Sequence, residues 1–593
     1  MRLNNTAFKQ LLPSSLLIIL TLFGLWCTSL EASSISDTIY TGKDSESDSS
    51  HKLEAIVLVP RKENLLSEKK LKDVEGVEIL DLDIPGGASG LAQKLQKIYQ
   101  QNPLSIELID EIKQTVATYF KDNGRPVVFV KAPDQELTSG KLQLIVTESQ
   151  VGNVSVTGNK YFSNNCLRDQ IKVNSGEPLD EKELIRNLNL INRNPFRHAD
   201  MMYLPGTEPG ITDITFHIAD RRPYRFYAGI ENTGVESTGR NRLFAGVNFG
   251  NMFWRGDVFG YQYTTSDDFH RFQAHTIQYT AGLPWGHLLN IFGGYSSVNT
   301  KLAVFAEGVL LADGSTRVVE RSIKGDGYSG QASARYIIPF FLGRYLIHDL
   351  IIGFDWKRMN NRTIYGGPIP IAGDNATLTQ FVLGYAGDYQ RDSFRLDFET
   401  NLFYSPGTWL PDQTNEDYRS LTPKAKMNYV YWRGALIYLQ KLPLDFSLRI
   451  RGEGQISSQN LLPSEEYGLG GYNTVRGYDE RVVNKENIFL LSTEFRSPPL
   501  PVISKKWRKA TDALQILVFL DYAVGRNKFS FFDSGTSEPF PKQTQWLMGA
   551  GPGLRYTLDP YLTARLDWGF KIHKNSVIGK QSQVAHFSVT ASY

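Results

Sequence analysis

The amino-acid sequence predicts a transmembrane antiparallel β-barrel of about 16 strands preceded by two small α/β domains. Three observations carry this. The N-terminus is of the export type, and no later stretch of about eighteen or more apolar residues follows it. From Tyr224 to the last residue the hydrophobic pattern has a period of two, and between these regions strand-like and helix-like periods alternate.

Composition narrows the partner classes. Lys plus Arg number 64 and Asp plus Glu 62, a formal balance of +2, so no strong field favours nucleic acid or an anionic surface. Aromatic residues make up 12%, with 51 Gly and 2 Cys, which suits many Tyr/Phe-bearing strands joined by tight turns without disulfides.

At the N-terminus Arg2 and Lys9 precede an apolar run from Leu11 to Cys27 and small residues near Ala32 and Ser33. This predicts a signal peptide over residues 1–32. A single-pass anchor is disfavoured because the run lies near the lower length limit for spanning and contains Pro13. A lipoprotein signal is disfavoured by the bulky Trp26 before Cys27. Cleavage after Ala32 leaves Cys166 as the only cysteine, expected to be buried and inert. Residues 33–52, Ser/Asp-rich from Thr41 to Ser50, read as a polar linker.

With no transmembrane helix predicted after the signal, a spanning structure must be a closed sheet, since lipid offers no partners to backbone N–H and C=O groups. Leu562, Ala564, Leu566, Trp568, Phe570 and Ile572 alternate with Thr563, Arg565, Asp567, Gly569, Lys571 and His573. The last strand repeats this, ending on the aromatic Tyr593, and the segments Phe446–Arg451 and Phe394–Glu399 alternate in the same way with charged polar faces. A soluble sandwich would alternate too, with its polar face outward. The signal peptide, the number of strands and the aromatic terminus decide for the barrel over residues 223–593, a length that accommodates roughly 16 to 18 strands. Strands are expected near 445–457, 487–497, 513–524, 544–558, 561–573 and 583–593, with a short periplasmic turn at Asp559-Pro560 and a long Gly-rich extracellular loop from about 458 to 486.

The segment before the barrel divides into a first α/β domain over 53–148 and a second over 149–222. In the first, Leu53–Val59 reads as a strand and Ser89–Tyr99 as an amphipathic helix. A second helix follows over Ser105–Phe120, with Ile106, Ile109, Val116 and Tyr119 at near-helical spacing, and strands over Val127–Val130 and Lys141–Thr147 complete the domain. In the second, a strand over Val151–Val156 is followed by helices near 164–171 and 180–192 and strands near 199–204 and 211–218. The shared order of elements reads as a divergent repeat.

Several separate motifs then carry a family resemblance that covers nearly the whole mature chain. They are the run from Ala132-Pro133-Asp134 to Gly140, Val151-Gly152-Asn153-Val154 with Gly158-Asn159, and Asn192-Arg193-Asn194-Pro195 with Pro205-Gly206 and Pro209-Gly210. Ala228-Gly229-Ile230-Glu231-Asn232-Thr233-Gly234 with Ser237-Thr238-Gly239-Arg240 follows, and then Val475-Arg476-Gly477-Tyr478. Together these resemble the two-partner secretion outer-membrane transporters of the haemolysin secretion/activation type, which join paired polypeptide-transport-associated (POTRA) domains to a β-barrel. The resemblance implies a sixteen-stranded barrel whose sixth extracellular loop folds into the lumen. It further implies that Arg476 of the loop signature Val475, Arg476, Gly477, Tyr478 pairs with Asp521 of Phe519-Leu520-Asp521. Glu494, on the neighbouring strand's polar face, is the alternative partner. The residue pattern agrees independently: Gln515, Phe519 and Asp521 share one face, and Leu514, Ile516, Val518 and Leu520 the other. A bidentate Arg–carboxylate contact is suited to holding a long loop, whose ordering is entropically costly. The family commonly carries an N-terminal plug helix; residues 33–52 are short and polar, and no plug is assigned.

No chemistry-bearing constellation is found. Gly468-Leu469-Gly470-Gly471 lacks the Gly-Lys-Ser/Thr of a phosphate loop, the 9 His do not cluster at metal-ligand spacing, and no Gly-x-Ser-x-Gly elbow is present. The expectation is a non-enzyme without cofactor or metal. It would sit in the outer membrane with its N-terminal domains in the periplasm and export an unfolded secreted protein partner, with membrane lipid as its other contact and no nucleic acid or small-molecule substrate. Charged inward residues such as Arg449, Arg451, Arg565 and Asp567 are expected to keep that path wet. An assembly insertase of the same superfamily, a passive porin and an outer-membrane enzyme are the alternatives.

Overall fold

A computed structural model describes residues 52–593, apart from 209, 311–315, 343–344, 366–369, 504–510, 530, 533–538, 541–543 and 574–580. The signal peptide (1–32) and all but the last residue of the linker (33–52) lie outside the described residues.

The first soluble domain is a four-stranded sheet with helices on it. Its strands are β1 (Ala55–Val59), β2 (Gly76–Ile79), β3 (Val128–Lys131) and β4 (Lys141–Glu148); its helices are α1 (Glu68–Leu71), α2 (Ala88–Gln101) and α3 (Ile106–Asp122). The sheet order is β2-β1-β4-β3, with β1 parallel to both neighbours. A central parallel strand is covered on both faces, so β1 is an unbroken apolar run, Ala-Ile-Val-Leu-Val, and is buried throughout. Ile56 and Leu58 face the main core with Leu91, Leu95 and Tyr99 of α2 and Leu108, Ile112, Val116 and Phe120 of α3. Ala55, Val57 and Val59 meet Leu71 and Val74 on the opposite side. The sequence pattern does not reveal α1 and β2, which cover that second face and the outer edge of β1. Ile106 corrects a further expectation. It is 76% exposed, because it is the first residue after the Ser105 cap, whose side chain accepts from Leu108 N; the buried stripe runs through 108, 112, 116, 119 and 120 instead.

The second domain contains β5 (Gln150–Thr157), α4 (Asn164–Arg168), α5 (Glu181–Asn192), β6 (Arg197–Pro205) and β7 (Ile211–Asp220). Its sheet order is β5-β7-β6, with β5 parallel and β6 antiparallel to β7. The repeat relation therefore holds for the strand–helix–helix–strand–strand core, in which the first strand lies parallel to the last; α1 and β2 are additions to the first domain. The helix expected near 164–171 is shorter, ending at Arg168.

The barrel closes with 16 antiparallel strands. In chain order these are β8 (Tyr224–Glu231), β9 (Arg242–Met252), β10 (Asp257–Ser266), β11 (Phe272–Gly282), β12 (Leu288–Leu310) and β13 (Thr316–Leu342). They continue with β14 (Leu346–Tyr365), β15 (Pro370–Gln390), β16 (Phe394–Ser405), β17 (Tyr429–Lys441) and β18 (Ser447–Ser457). The last five are β19 (Asn487–Arg496), β20 (Thr511–Arg526), β21 (Thr544–Asp559), β22 (Leu562–Lys571) and β23 (Gln583–Ser592). Closure joins β23 to β8 through Ser588–Ser592 against Tyr227–Glu231. Period-two alternation sorts the faces: Val518 and Leu520 are 56% and 44% exposed on the outside, whereas Phe519 and Asp521 between and beside them are buried inside. Among the described residues no helix is long and apolar enough to cross a membrane; the crossing elements are these strands.

Candidate functional site

The loop between β18 and β19 is the sixth on the extracellular side. It contains a short hairpin, Tyr467–Leu469 against Val483–Lys485, whose tip carries the Val475–Tyr478 signature. Gly477 has φ 96°, in the left-handed region that favours glycine. The tip lies directly on the inner wall: a methyl group on Gly549 of β21 would overlap the Arg476 carbonyl oxygen, and one on Gly569 of β22 would overlap the Gly477 nitrogen. These two wall glycines allow backbone to pass against backbone.

Arg476 is 2% exposed and surrounded by acceptors. Its Nε donates to Asp521 Oδ2 at 2.7 Å and its Nη2 to Asp521 Oδ1 at 2.8 Å, and its backbone N–H also donates to Oδ2, at 3.0 Å. Nη1 donates to Glu494 Oε1 at 2.7 Å, so the two expected partners are bound together rather than as alternatives. The guanidinium lies 3.7 Å from the Phe519 ring centroid, which places Phe519 under the cation that its neighbour binds. Ser492 Oγ donates to Asp521 Oδ1 at 2.6 Å.

A third carboxylate completes the cluster. Asp567 lies 3.6 Å from Arg476 Nη1 and also binds Arg555 at 2.8 Å and Arg565 at 2.7 Å, while Arg496 binds Glu494 at 2.5 Å. Three buried carboxylates thus share four guanidiniums. Each would be costly to bury alone, and mutual pairing with added hydrogen bonds is what makes the burial tolerable. The remaining signature residues fix the rest of the tip. Tyr478 OH donates to the His573 carbonyl at 2.6 Å, and Val475 packs with Leu469, Leu490, Ala523 and Leu547.

This geometry revises the reading of the inward charges. Asp567 is fully buried under the loop, and Arg565 donates to the Tyr472 carbonyl at 2.7 Å and stacks over its ring. Arg451 donates to the Asn473 carbonyl and pairs with Glu453 at 2.8 Å. These groups hold the loop. An open part of the lumen lies along β8–β13, a cavity of about 780 Å³ whose inward side chains include Tyr227, Asn248, Gln262, Thr276, Asn290 and Gln331. The sequence gives no sign of this wall, because amides and hydroxyls in alternating strands carry no motif.

The second soluble domain is joined to the barrel at the Asn192–Pro195 run that stands out in the sequence. Asn194 Nδ2 donates to the carbonyls of Gly250 and Gly256 at 2.6 and 2.9 Å, Arg193 pairs with Asp349 at 2.5 Å, and a methyl on Gly250 would overlap the Phe196 ring. Cys166 lies nearby, and burial pushes its thiol up. Among the described residues no group of three or more His, Cys, Asp or Glu is placed to hold a metal.

A 16-stranded barrel with an inserted sixth loop and two periplasmic α/β domains defines an outer-membrane transporter of the POTRA-plus-barrel class. The family described as haemolysin secretion/activation protein ShlB/FhaC/HecB matches residues 210–324 and 350–555, more than half of the chain, and the chain belongs to that family. It is 22% identical over 494 residues to the heme/hemopexin transporter protein HuxB of Haemophilus influenzae (strain 86-028NP), covering 81% of this chain and 80% of the relative. It is 23% identical over 386 residues to the outer membrane transporter CdiB of Dickeya dadantii, covering 64% of each. The fold is similar to that of CdiB from Escherichia coli, with a TM-score of 0.69 at 15% identity over 94% of this chain and 93% of that one. CdiB from Acinetobacter baumannii gives 0.62 at 16% identity over 97% of each. The protein is a two-partner secretion transporter of the outer membrane that exports an exoprotein, with its POTRA domains in the periplasm.

Proposed function

We propose that the exoprotein crosses as an unfolded chain, received by the POTRA domains and passed along the neutral inward face of β10–β12 while the Arg476 cluster holds the sixth loop on the opposing charged wall. The observation that carries this is the division of the lumen. The loop is pinned by buried ion pairs at β19–β22, and the cavity of about 780 Å³ is left along β8–β13. A wall of amides and hydroxyls exchanges hydrogen bonds with a passing backbone and offers no charge to trap one sequence.

Reception has a matching surface. Among the described residues β3 pairs only with β4, which leaves its outer edge open, and a groove of about 590 Å³ runs between it and α3 past Ala117, Phe129 and Val130. An extended chain adding to that edge gains backbone hydrogen bonds of low sequence preference, with Phe129 supplying an exposed apolar contact. The periplasm supplies no ATP, and folding of the exoprotein outside makes its exit irreversible. No step requires catalysis by this chain.

Deleting residues 53–222 tests the reading. Export of the exoprotein is expected to stop while the barrel still assembles, as judged by its heat-dependent migration in detergent gels. Undiminished export from the deleted form rejects reception by these domains.

A further inference from the structure

The sixth loop is held at a second place, on a different arc of the wall. Before reaching its tip the loop passes through Glu465, which is 1% exposed and whose carboxylate is fully engaged. Lys357 Nζ of β14 lies 2.7 Å from Oε1, Tyr431 OH of β17 donates to Oε2 at 2.8 Å, and Gln380 Nε2 of β15 donates to Oε2 at 3.3 Å. None of these strands takes part in the Arg476 cluster.

The fifth extracellular loop, between β16 and β17, closes over this point. β16 ends at Ser405, paired with Tyr429 of β17, whereas β15 starts at Pro370 and pairs with β16 only from Phe381 to Gln390. The upper part of β15 would therefore present an open edge. The fifth loop covers it: Thr377 N–H donates to the Asp412 carbonyl at 2.8 Å, and Tyr418 OH donates to the Thr377 carbonyl at 2.9 Å. Tyr418 belongs to the helix α6 (Asn415–Leu421), whose start is fixed by a capping box of Thr414 and Asp417. Around Tyr418 pack Ala376, Leu378, Tyr429 and Tyr431 of the wall and Leu461 and Leu462 of the sixth loop, both fully buried. Asn460 ties the assembly further, donating to the Pro423 carbonyl at 3.0 Å and accepting from Phe529 N–H at 2.9 Å.

We propose that α6 of the fifth loop and the 460–465 neck of the sixth form an extracellular clasp keyed by Glu465–Lys357, which closes the outer mouth independently of the Arg476 anchor at the tip. Glu465 and Lys357 are positioning residues: they touch no cargo, and they set whether the mouth is shut. This rests on the transport reading above for its purpose but not for its test, which needs no exoprotein.

The experiment uses the full-length protein in the outer membrane of intact cells, in a Cys166→Ala background, with single reporters Leu462→Cys in the clasp and Val475→Cys at the tip. A membrane-impermeant maleimide is applied from outside, and heat-dependent migration confirms assembly. Both reporters are expected to be protected in the parent. Glu465→Ala and Lys357→Met are each expected to speed labelling at 462 by about tenfold or more, since removing one partner leaves the other buried without its counter-charge. Position 475 stays protected. Exchanging the charges, Glu465→Lys with Lys357→Glu, is expected to restore much of the protection at 462, which a general loss of stability would not do. Should an alanine variant fail to assemble, Glu465→Gln, of the same size, carries the comparison. Unchanged protection at 462 in assembled variants overturns the clasp, as does loss of protection at 462 and 475 together, which would make the two attachments one cooperative unit. Export that fails for lack of POTRA reception leaves these labelling outcomes unaffected.

Discussion

The two halves of the lumen are built from the same strand geometry and differ in what the inward positions carry. Among the described residues, the inward faces of β10, β11 and β12 along Val258–Ser266, Phe272–Thr280 and Asn290–Val298 hold no charged side chain. Across β18–β22 the inward positions include Arg451, Glu494, Asp521, Arg555 and Asp567, and these are engaged with one another and with the sixth loop. The contrast teaches that the charge on β18–β22 serves attachment, whereas inward ion pairs elsewhere, such as Arg395 with Asp388 and Asp397, join neighbouring strands. A buried ion pair fixes position because mispairing is so costly, whereas neutral amides bind anything a little and nothing firmly. The wall meant to hold a loop and the wall meant to let a chain slide call for opposite chemistry.

The strongest way to break that comparison is to remove the central cation. Arg476→Ala leaves Asp521, Glu494 and Asp567 buried with fewer counter-charges, and loss of one partner of a buried pair costs about 3–5 kcal/mol. The tip is expected to leave the wall, giving larger and longer-lived conductance in planar bilayers and a lower temperature of barrel unfolding. Arg476→Lys should recover only part of the effect, because an ammonium cannot span both oxygens of Asp521 while also reaching Glu494. A conductance indistinguishable from the parent in Arg476→Ala would mean that the charged wall does not hold the loop.

A subtler test leaves every charge in place. Gly549→Ala or Gly569→Ala puts a methyl where the backbone of Arg476 and Gly477 lies, and overpacking of this kind costs about 1–3 kcal/mol. The expected result is the Arg476→Ala phenotype in weaker form, read by the same recordings. Gly452→Ala, at a wall position with open space around it, is the matched control and should leave conductance as in the parent. Equal behaviour of all three variants would separate the charge cluster from the close backbone approach and leave the former as the whole anchor.

Much of this architecture is legible in the amino-acid sequence, for physical reasons that differ from part to part. Alternation reveals the strands near 513–524 and 561–573 and their faces, because a lipid-facing row and an inner row cannot be exchanged without exposing charge to lipid. The Arg476–Asp521 contact follows only from a family resemblance, since no period or spacing brings positions 45 residues apart together. That both carboxylates bind Arg476, and that Asp567 joins them, is not legible, because the loop's path fixes it. Glu465 is invisible for the same reason: its partners Lys357, Gln380 and Tyr431 lie on three separate strands. Ile106 shows a smaller error: the helical phase is right, with Val116 and Tyr119 buried and Ile109 packed on the core, but the first residue after the Ser105 cap lies outside the buried stripe.

The smallest expected effect sharpens the other side of the contrast. Gln262 lies on the neutral wall within reach of Tyr227 OH, which donates to its side-chain oxygen at 3.0 Å, and its amide nitrogen donates to Thr264 Oγ1 at 3.0 Å. Gln262→Glu keeps the size and the acceptor for Tyr227 but adds a charge facing the cavity. Because water reaches this site, the barrel should lose no more than about 0.5 kcal/mol, the usual range for substitutions away from buried networks. Cation selectivity of the channel should rise modestly, and export of the exoprotein should slow in low salt and recover as salt screens the added charge. Gln262→Asn, neutral and shorter, should leave both readouts as in the parent. If Gln262→Glu and Gln262→Asn slow export equally at every salt concentration, then shape and not neutrality is what this wall contributes, and the sliding surface must be described by its contours.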